Sequence, residues 1–223
     1  MRITPEDRAK ISAAVTAAEI DTAGEIVTIV ARRSDKYHDV AAHAGVLAML
    51  LMLAVLSVWP GIADRLHAMV YDPWTDGAHQ GASYGIALLV VAIAFLVGRY
   101  ALSSMPLRIA LTPGATKTRR VRARALDLFR SSAEKRTIGA TGVLIYLSLD
   151  ERRAELIAEH AIHSKVANET WGAAMAALVA AVQDGRPGDG MAEAVAQVGI
   201  VLAAHFPRAD DDRNELPDRL IEL

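Results

Sequence analysis

"HAGVLAMLLMLAVLSVW", residues His43–Trp59, decides how the rest of the chain is read. It lies inside a longer stretch, residues 40 to 63, that carries no formal charge across the 24 positions between Asp39 and Asp64. A bilayer core of about 30 Å takes roughly 20 helical residues to cross. A second charge-free run extends from Gly77 to Gly98 around "GIALLVVAIAFLVG", and Arg99 closes it. Core helices of a soluble protein would show a polar stripe over five turns, and neither run has one. The two runs therefore predict a transmembrane helical hairpin. The charged start "MRITPEDRAKI" and the late onset of the first run do not fit a cleavable signal peptide.

The flanks predict an orientation. Arg32, Arg33 and Lys36 precede the first span, and Arg99, Arg108, Lys117, Arg119, Arg120, Arg122 and Arg124 follow the second. Between the spans only Arg65 is basic, beside Asp64, Asp72 and Asp76. Cationic flanks remain on the cytoplasmic side, which puts both termini in the cytoplasm and the linker outside, as in a two-span protein of a bacterial inner membrane. Trp59, Tyr71, Trp74 and Tyr84 stand where interfacial aromatics stand. The basic run 117–124 beside a span suits lipid headgroups. A net charge of −2 and 5% aromatic residues give no push toward nucleic acid. With no cysteine, disulfides, thiolate metal sites and thiol nucleophiles are excluded.

Outward from the hairpin, the remaining sequence reads as one α/β domain cut in two. Thr4, Pro5 and Asp7 form a helix start with capping-box spacing, Ile11, Val15 and Ala18 recur at helical intervals, and Gly24 ends the helix. "EIVTIVAR" (25–32) is β-branched and strand-like. After the hairpin, residues 119–136 read as an amphipathic helix, and "TGVLIYLSL" (141–149) as a strand covered on both faces. Residues 154–162 read as its hairpin partner. Two helices follow, one over about 168–184 ending at Gly185-Arg186-Pro187, the other from an Asp189 N-cap to about Ala204. The first two strands are expected to lie parallel, with the membrane hairpin inserted in their crossover. The predicted organisation is residues 1–39 as the first part of the domain and 40–98 as the hairpin, with an extracytoplasmic linker at about 64–81. Residues 99–207 are the second part and 208–223 an acidic C-terminal tail, whose final apolar turn could dock on the domain or on a partner.

Among these residues "EHAIHSK" is the best candidate for chemistry. Glu159, His160 and His163 could hold a divalent metal, the cofactor such a set would take, and a bound metal could activate water for phosphoester hydrolysis. The competing reading is a polar strand end facing solvent. His38 and His43, with Asp35 and Asp39, mark the entrance to the first span. "DGRPGDG" (184–190) is explained by one helix end and the next helix start rather than by a calcium loop, since it lacks the alternating oxygen ligands. There is no G-x-G-x-x-G and no phosphate loop.

The pattern "AAEIDTAGEIVTIVARRS", an insertion, "RTIGATGVLIYLSLDERRAELIAEHAI" and "VQDGRPGDGMAEAVAQVGIVLAAHFP" resembles the TPM domain family, and in particular bacterial TPM-domain membrane proteins with a two-helix insertion. The tail "DDRNELPDRLIEL" fits the same subgroup. The resemblance implies an α/β fold, a small mixed sheet sandwiched by helices. It implies either a module that assembles or modulates membrane complexes or a metal-binding phosphatase. Typical members carry an acidic residue and an Asn where this chain has Ala140 and Thr141, and a Gly-aromatic-Gly turn where it has Glu159 to Ile162. The expectation is therefore a non-enzymatic interaction, assembly or maintenance module with a membrane-protein partner. The alternative is a metal-dependent phosphatase-like hydrolase using Glu159, His160 and His163 with Asp150 or Glu25.

Overall fold

The computed structural model of the chain describes residues 1–59, 61–70, 80–132, 141–208 and 216–223. The class is mixed α/β: mostly helix, with one four-stranded mixed sheet and two long apolar helices. The chain forms two compact units, one of Met1–Asp35 with Gly114–Leu223, the other of Lys36–Pro113.

In the first unit, α1 (Pro5–Glu19) starts as its sequence requires. The Thr4 hydroxyl accepts from the Asp7 N–H at 3.1 Å, and the Asp7 carboxylate accepts from the Thr4 N–H at 2.9 Å. With Pro5 bringing no N–H, two of the three otherwise unpaired amides of this helix start are thereby involved in one reciprocal motif. β1 (Glu25–Ala31) is buried along its whole length. It pairs parallel with β2 (Gly142–Ser148), from Glu25 opposite Gly142 to Ala31 opposite Ser148. β2 turns back through Arg152, whose φ of 50° is left-handed, into the antiparallel β3 (Arg153–Ala158). The expected strand 154–162 is shorter than predicted. The chain leaves the sheet at Glu159 and makes a single helical turn, α7 (His160–His163).

The sheet order is β3-β2-β1-β4. The fourth strand, β4 (Ile221–Glu222), is the apolar end of the tail, paired parallel with β1 through Ile29 and Val30. Of the two destinations considered for that turn, the structure gives the domain. Strand alternation divides the apolar side chains into two clusters. Ile26, Val30, Val143, Ile145 and Leu147 pack with residues of α1, of α8 (Gly172–Gln183) and of α9 (Pro187–His205). Val27, Ile29, Leu144 and Tyr146 pack with Val121, Ala125 and Phe129 of α6 (Gly114–Ser132). That helix begins five residues before the predicted start, and the predicted end at 136 lies outside the described residues.

α8 closes on Gly185, φ 81°, where the Arg186 N–H reaches the Ala181 carbonyl and the Gly185 N–H the Val182 carbonyl. This is the paired bonding of a helix end that needs a left-handed residue. Asp189 is not the N-cap predicted for the next helix. Pro187, with its fixed φ, takes the first helical position of α9, leaving Asp189 in the first turn, where it accepts from Lys10 Nζ at 2.5 Å. Before α8, residues 168–171 form a 3₁₀ turn rather than the start of one continuous helix.

The second unit is the hairpin. α2 (His38–Val58) and α4 (Gln80–Ala101) are the long helices, with α3 (Gly61–Val70) and α5 (Met105–Leu111) beside them. The predicted limits of 40 and 98 are too narrow. α5 belongs to this unit because the Arg108 guanidinium donates to the Leu102 carbonyl at 2.5 Å and to the Lys36 carbonyl at 3.4 Å, tying the two chain ends together. Part of the expected linker is helical as α3, while Tyr71, Trp74, Asp72 and Asp76 lie outside the described residues.

Candidate functional site

The residues singled out for metal binding are given other work. Glu159 is buried, and its carboxylate accepts from the Gly142 N–H at 2.7 Å while its own N–H donates to the Gly142 carbonyl at 3.0 Å. It extends the β2–β3 ladder by one rung with a side chain in place of main chain. His160 and His163 are exposed on the turn α7, whose Ile162 is buried, and His163 lines a groove along β3. Among the described residues no three His, Asp or Glu side chains come together in a way that could hold a metal ion, and Glu159, His160 and His163 are all described. The helical turn that i, i+3 spacing requires is present, yet the carboxylate is turned inward to the strand. Asp150 lies beyond the far end of β2, its N–H bonded to the Arg32 carbonyl at 2.9 Å, so a strand of roughly 20 Å separates it from Glu159. Glu25 stands at the Glu159 end, and its carboxylate accepts from the Leu216 N–H at 3.2 Å. Thr141 donates to the Ala23 carbonyl at 3.0 Å, and Ala140 lies outside the described residues.

A cluster of acids that the sequence did not announce lines a small cavity of about 130 Å³ with Thr16 and Arg208. Glu19, Glu25 and Asp218 meet there. Glu19 accepts from the Ile26 N–H at 2.7 Å. Burial pushes its carboxyl up to about 8; the Ile26 N–H pulls the other way, and the charges of Glu25 and Asp218 raise it further. At neutral pH it is protonated. The three acids come from α1, β1 and the segment before β4, so no local spacing betrays them.

A groove of about 520 Å³ in the first unit follows the outer edge of β3. Its floor is Ala154 through Ala158, five consecutive residues. One wall is α6, with Arg122 and Arg130 exposed and Phe129 buried. The other is formed by Trp171, Gly172 and Met175. Trp171 is 4% exposed, and among the described residues its Nε1–H has no acceptor. Burial raises the Glu155 carboxyl above the usual range against the pull of the nearby Arg122 and Arg153 charges.

In the second unit both long helices are of a length and apolarity that could cross a membrane, His38–Val58 and Ser83–Ala101. They pack through small residues. A Cβ on Gly98 would come within 2.6 Å of Ala48 Cβ, and one on Gly45 within 2.9 Å of the Phe95 ring. Leu47, Leu51, Leu88, Leu89 and Val97 are exposed. Arg33, Lys36, Arg99 and Arg119 are exposed, Arg32 approaches Asp150 at 3.7 Å, and Arg120 donates to Asp35 at 2.7 Å.

No family model matches the chain, and no curated protein does. Its fold is similar to the NMR structure of the BA42 protein from the psychrophilic bacterium Bizionia argentinensis. The likeness has a TM-score of 0.56 at 17% identity, over 100% of this chain and 97% of that one. At that identity it is a likeness of fold alone.

Proposed function

We propose that the chain is an integral protein of a bacterial inner membrane whose soluble unit is a cytoplasmic TPM-like domain, its small sheet sandwiched by helices. The domain binds, assembles or maintains other membrane proteins without chemistry of its own. The observation that carries the reading is the hairpin: two long helices, packed by glycines on one side and apolar on the outside, inserted between β1 and α6. Leucines and valines turned outward in such number cost a soluble protein about 25 cal/mol per Å² of water contact, and lipid removes that cost. Cations at both hairpin ends favour a cytoplasmic domain, and those of α6 suit anionic lipid headgroups. A chain that enters the hairpin at Asp35 and leaves it at Gly114 attaches its domain to the bilayer twice. The acids of the soluble unit support an interaction role, since Glu19, Glu25 and Glu159 each accept from a main-chain amide.

The test is in-cell photocrosslinking from exposed positions of the soluble unit, followed by identification of the joined species. The reading predicts discrete adducts with a membrane protein, obtained also from cells treated with chelator. Adducts confined to soluble proteins would contradict it, as would turnover of a phosphoester by the purified, metal-supplied protein.

A further inference from the structure

β3 is the outermost strand on its side of the sheet, and among the described residues it pairs only with β2. Which of its main-chain groups remain unused follows from the register. The Glu159 N–H bonds to Gly142, and Glu159 lies opposite Gly142 because Ala158 lies opposite Val143. In an antiparallel pair, bonded and non-bonded positions alternate. Arg153, Glu155 and Ile157 therefore spend their amides and carbonyls on β2. Ala154, Leu156 and Ala158 direct theirs outward, into the groove that those same residues floor.

An open edge is normally blunted, because it templates pairing with another chain. Here it is recessed between two walls of different chemistry. Alternation sends Glu155 and Ile157 toward α6, and Ala154, Leu156 and Ala158 toward the cluster containing Trp171. On the α6 side Arg122 and Arg130 line the groove and Arg153 stands on the same face of the strand, against Glu155, the one acid among the described lining residues. On the other side Trp171 and Met175 line the groove with apolar surface. A strand laid against β3 would turn alternate side chains to these two walls. The walls themselves restrict the occupant. A second copy of the domain would bring its own α6 and α8 against this α6 and α8, whereas a single extended chain needs only the groove.

We infer that the β3 edge is a docking groove for an extended segment of another protein in which acidic residues alternate with apolar ones. The segment adds a fifth strand to the sheet: main-chain bonds to Ala154, Leu156 and Ala158 supply the affinity, and the two walls supply the selection. Every second side chain is a carboxylate facing Arg122 and Arg130, and the others fit against Trp171 and Met175. The inference rests on the reading of the soluble unit as an interaction module and names the kind of partner that module takes.

The probe is a fluorescent octapeptide of alternating glutamate and valine, titrated by anisotropy into the full chain in detergent. Saturable binding is expected, with protection of the Leu156 and Ala158 amides from exchange. A block peptide of four glutamates and four valines, or the alternating peptide N-methylated at every second residue, binds at least about tenfold more weakly. The exposed pair Arg122→Glu with Arg130→Glu folds and reverses the choice, so that a lysine–valine peptide binds better than the glutamate–valine one. Equal binding of block and alternating peptides, or no effect of N-methylation, overturns the inference in favour of a diffuse ionic surface. A dimer dispersed by the double charge reversal overturns it in favour of a second copy. No peptide binding, with photocrosslinks to a membrane protein intact, overturns the groove and leaves the module; loss of those crosslinks removes the module itself.

Discussion

Glu19 carries the clearest pH signature of the molecule. Its carboxyl sits near 4.5 in an unfolded chain and at about 8 in the folded one, so folding takes up a proton between those values. The stability it contributes is complete below about pH 4.5 and is lost as pH rises through 8. Glu19→Gln keeps an acceptor for the Ile26 N–H and removes the charge. Chemical denaturation of the full chain at pH 5, 7 and 9 should show the wild type losing on the order of 1–2 kcal/mol across the range, and the variant losing less, once solvent screening at this partly exposed site is allowed for. An unchanged slope in the variant would refute the assignment. At the same scale, Glu159→Ala strips the Gly142 amide of its acceptor inside a closed site and should cost about 1–3 kcal/mol. His160→Ala and His163→Ala, on the exposed turn, should stay within about 0.5 kcal/mol, and chelator should shift the unfolding midpoint of none of the three. A metal-dependent midpoint abolished by either histidine change would restore the metal site.

Among the elements, the α2–α4 contact depends on two glycines at which no larger residue fits. Gly98→Leu would drive a side chain into Ala48 and the Ala44 carbonyl and should cost about 1–3 kcal/mol in a detergent-unfolding titration. Gly85→Leu, on the same helix with open space around its Cβ, is the matched control and should cost nothing, since Leu is the better helix former. The elements differ in how legible they were. The start of α1 could be read to the residue because its capping box is a local motif, whereas its end falls at Glu19 rather than at the expected Gly24; the burial of β2 was legible because seven consecutive residues resist any amphipathic reading. "RAELIA" carries the polar alternation of an outer strand, so the edge at β3 was visible in principle. The groove along it was not, since α6 and α8 reach it from distant parts of the chain. β4 was hidden for another reason. Two residues carry no periodicity, and their strand character comes from β1, with the Arg8–Glu222 ion pair holding the end in place. Asp189 misled because capping preference alone cannot see that Pro187 already begins the helix.

At the scale of the whole molecule, charge and apolarity along the chain announced two units, and the structure has two, the second running over Lys36–Pro113 and so wider than the expected 40–98. The proposed orientation in a bilayer rests on a physical asymmetry: basic residues crowd the outer flanks of the hairpin and are nearly absent between its helices. The chain contains no cysteine, which makes that asymmetry directly testable, because any single cysteine introduced becomes the sole thiol. The decisive measurement is labelling of Ala68→Cys, exposed in α3, and of Ser164→Cys, exposed after α7, with a membrane-impermeant maleimide. It is done on intact spheroplasts and on permeabilised ones, with the protein first shown to stay in carbonate-washed membranes. The account predicts that Ala68→Cys reacts from outside in intact cells and Ser164→Cys only after permeabilisation. Reaction at Ser164→Cys in intact cells, or release of the protein by carbonate, would contradict a membrane hairpin holding a cytoplasmic domain.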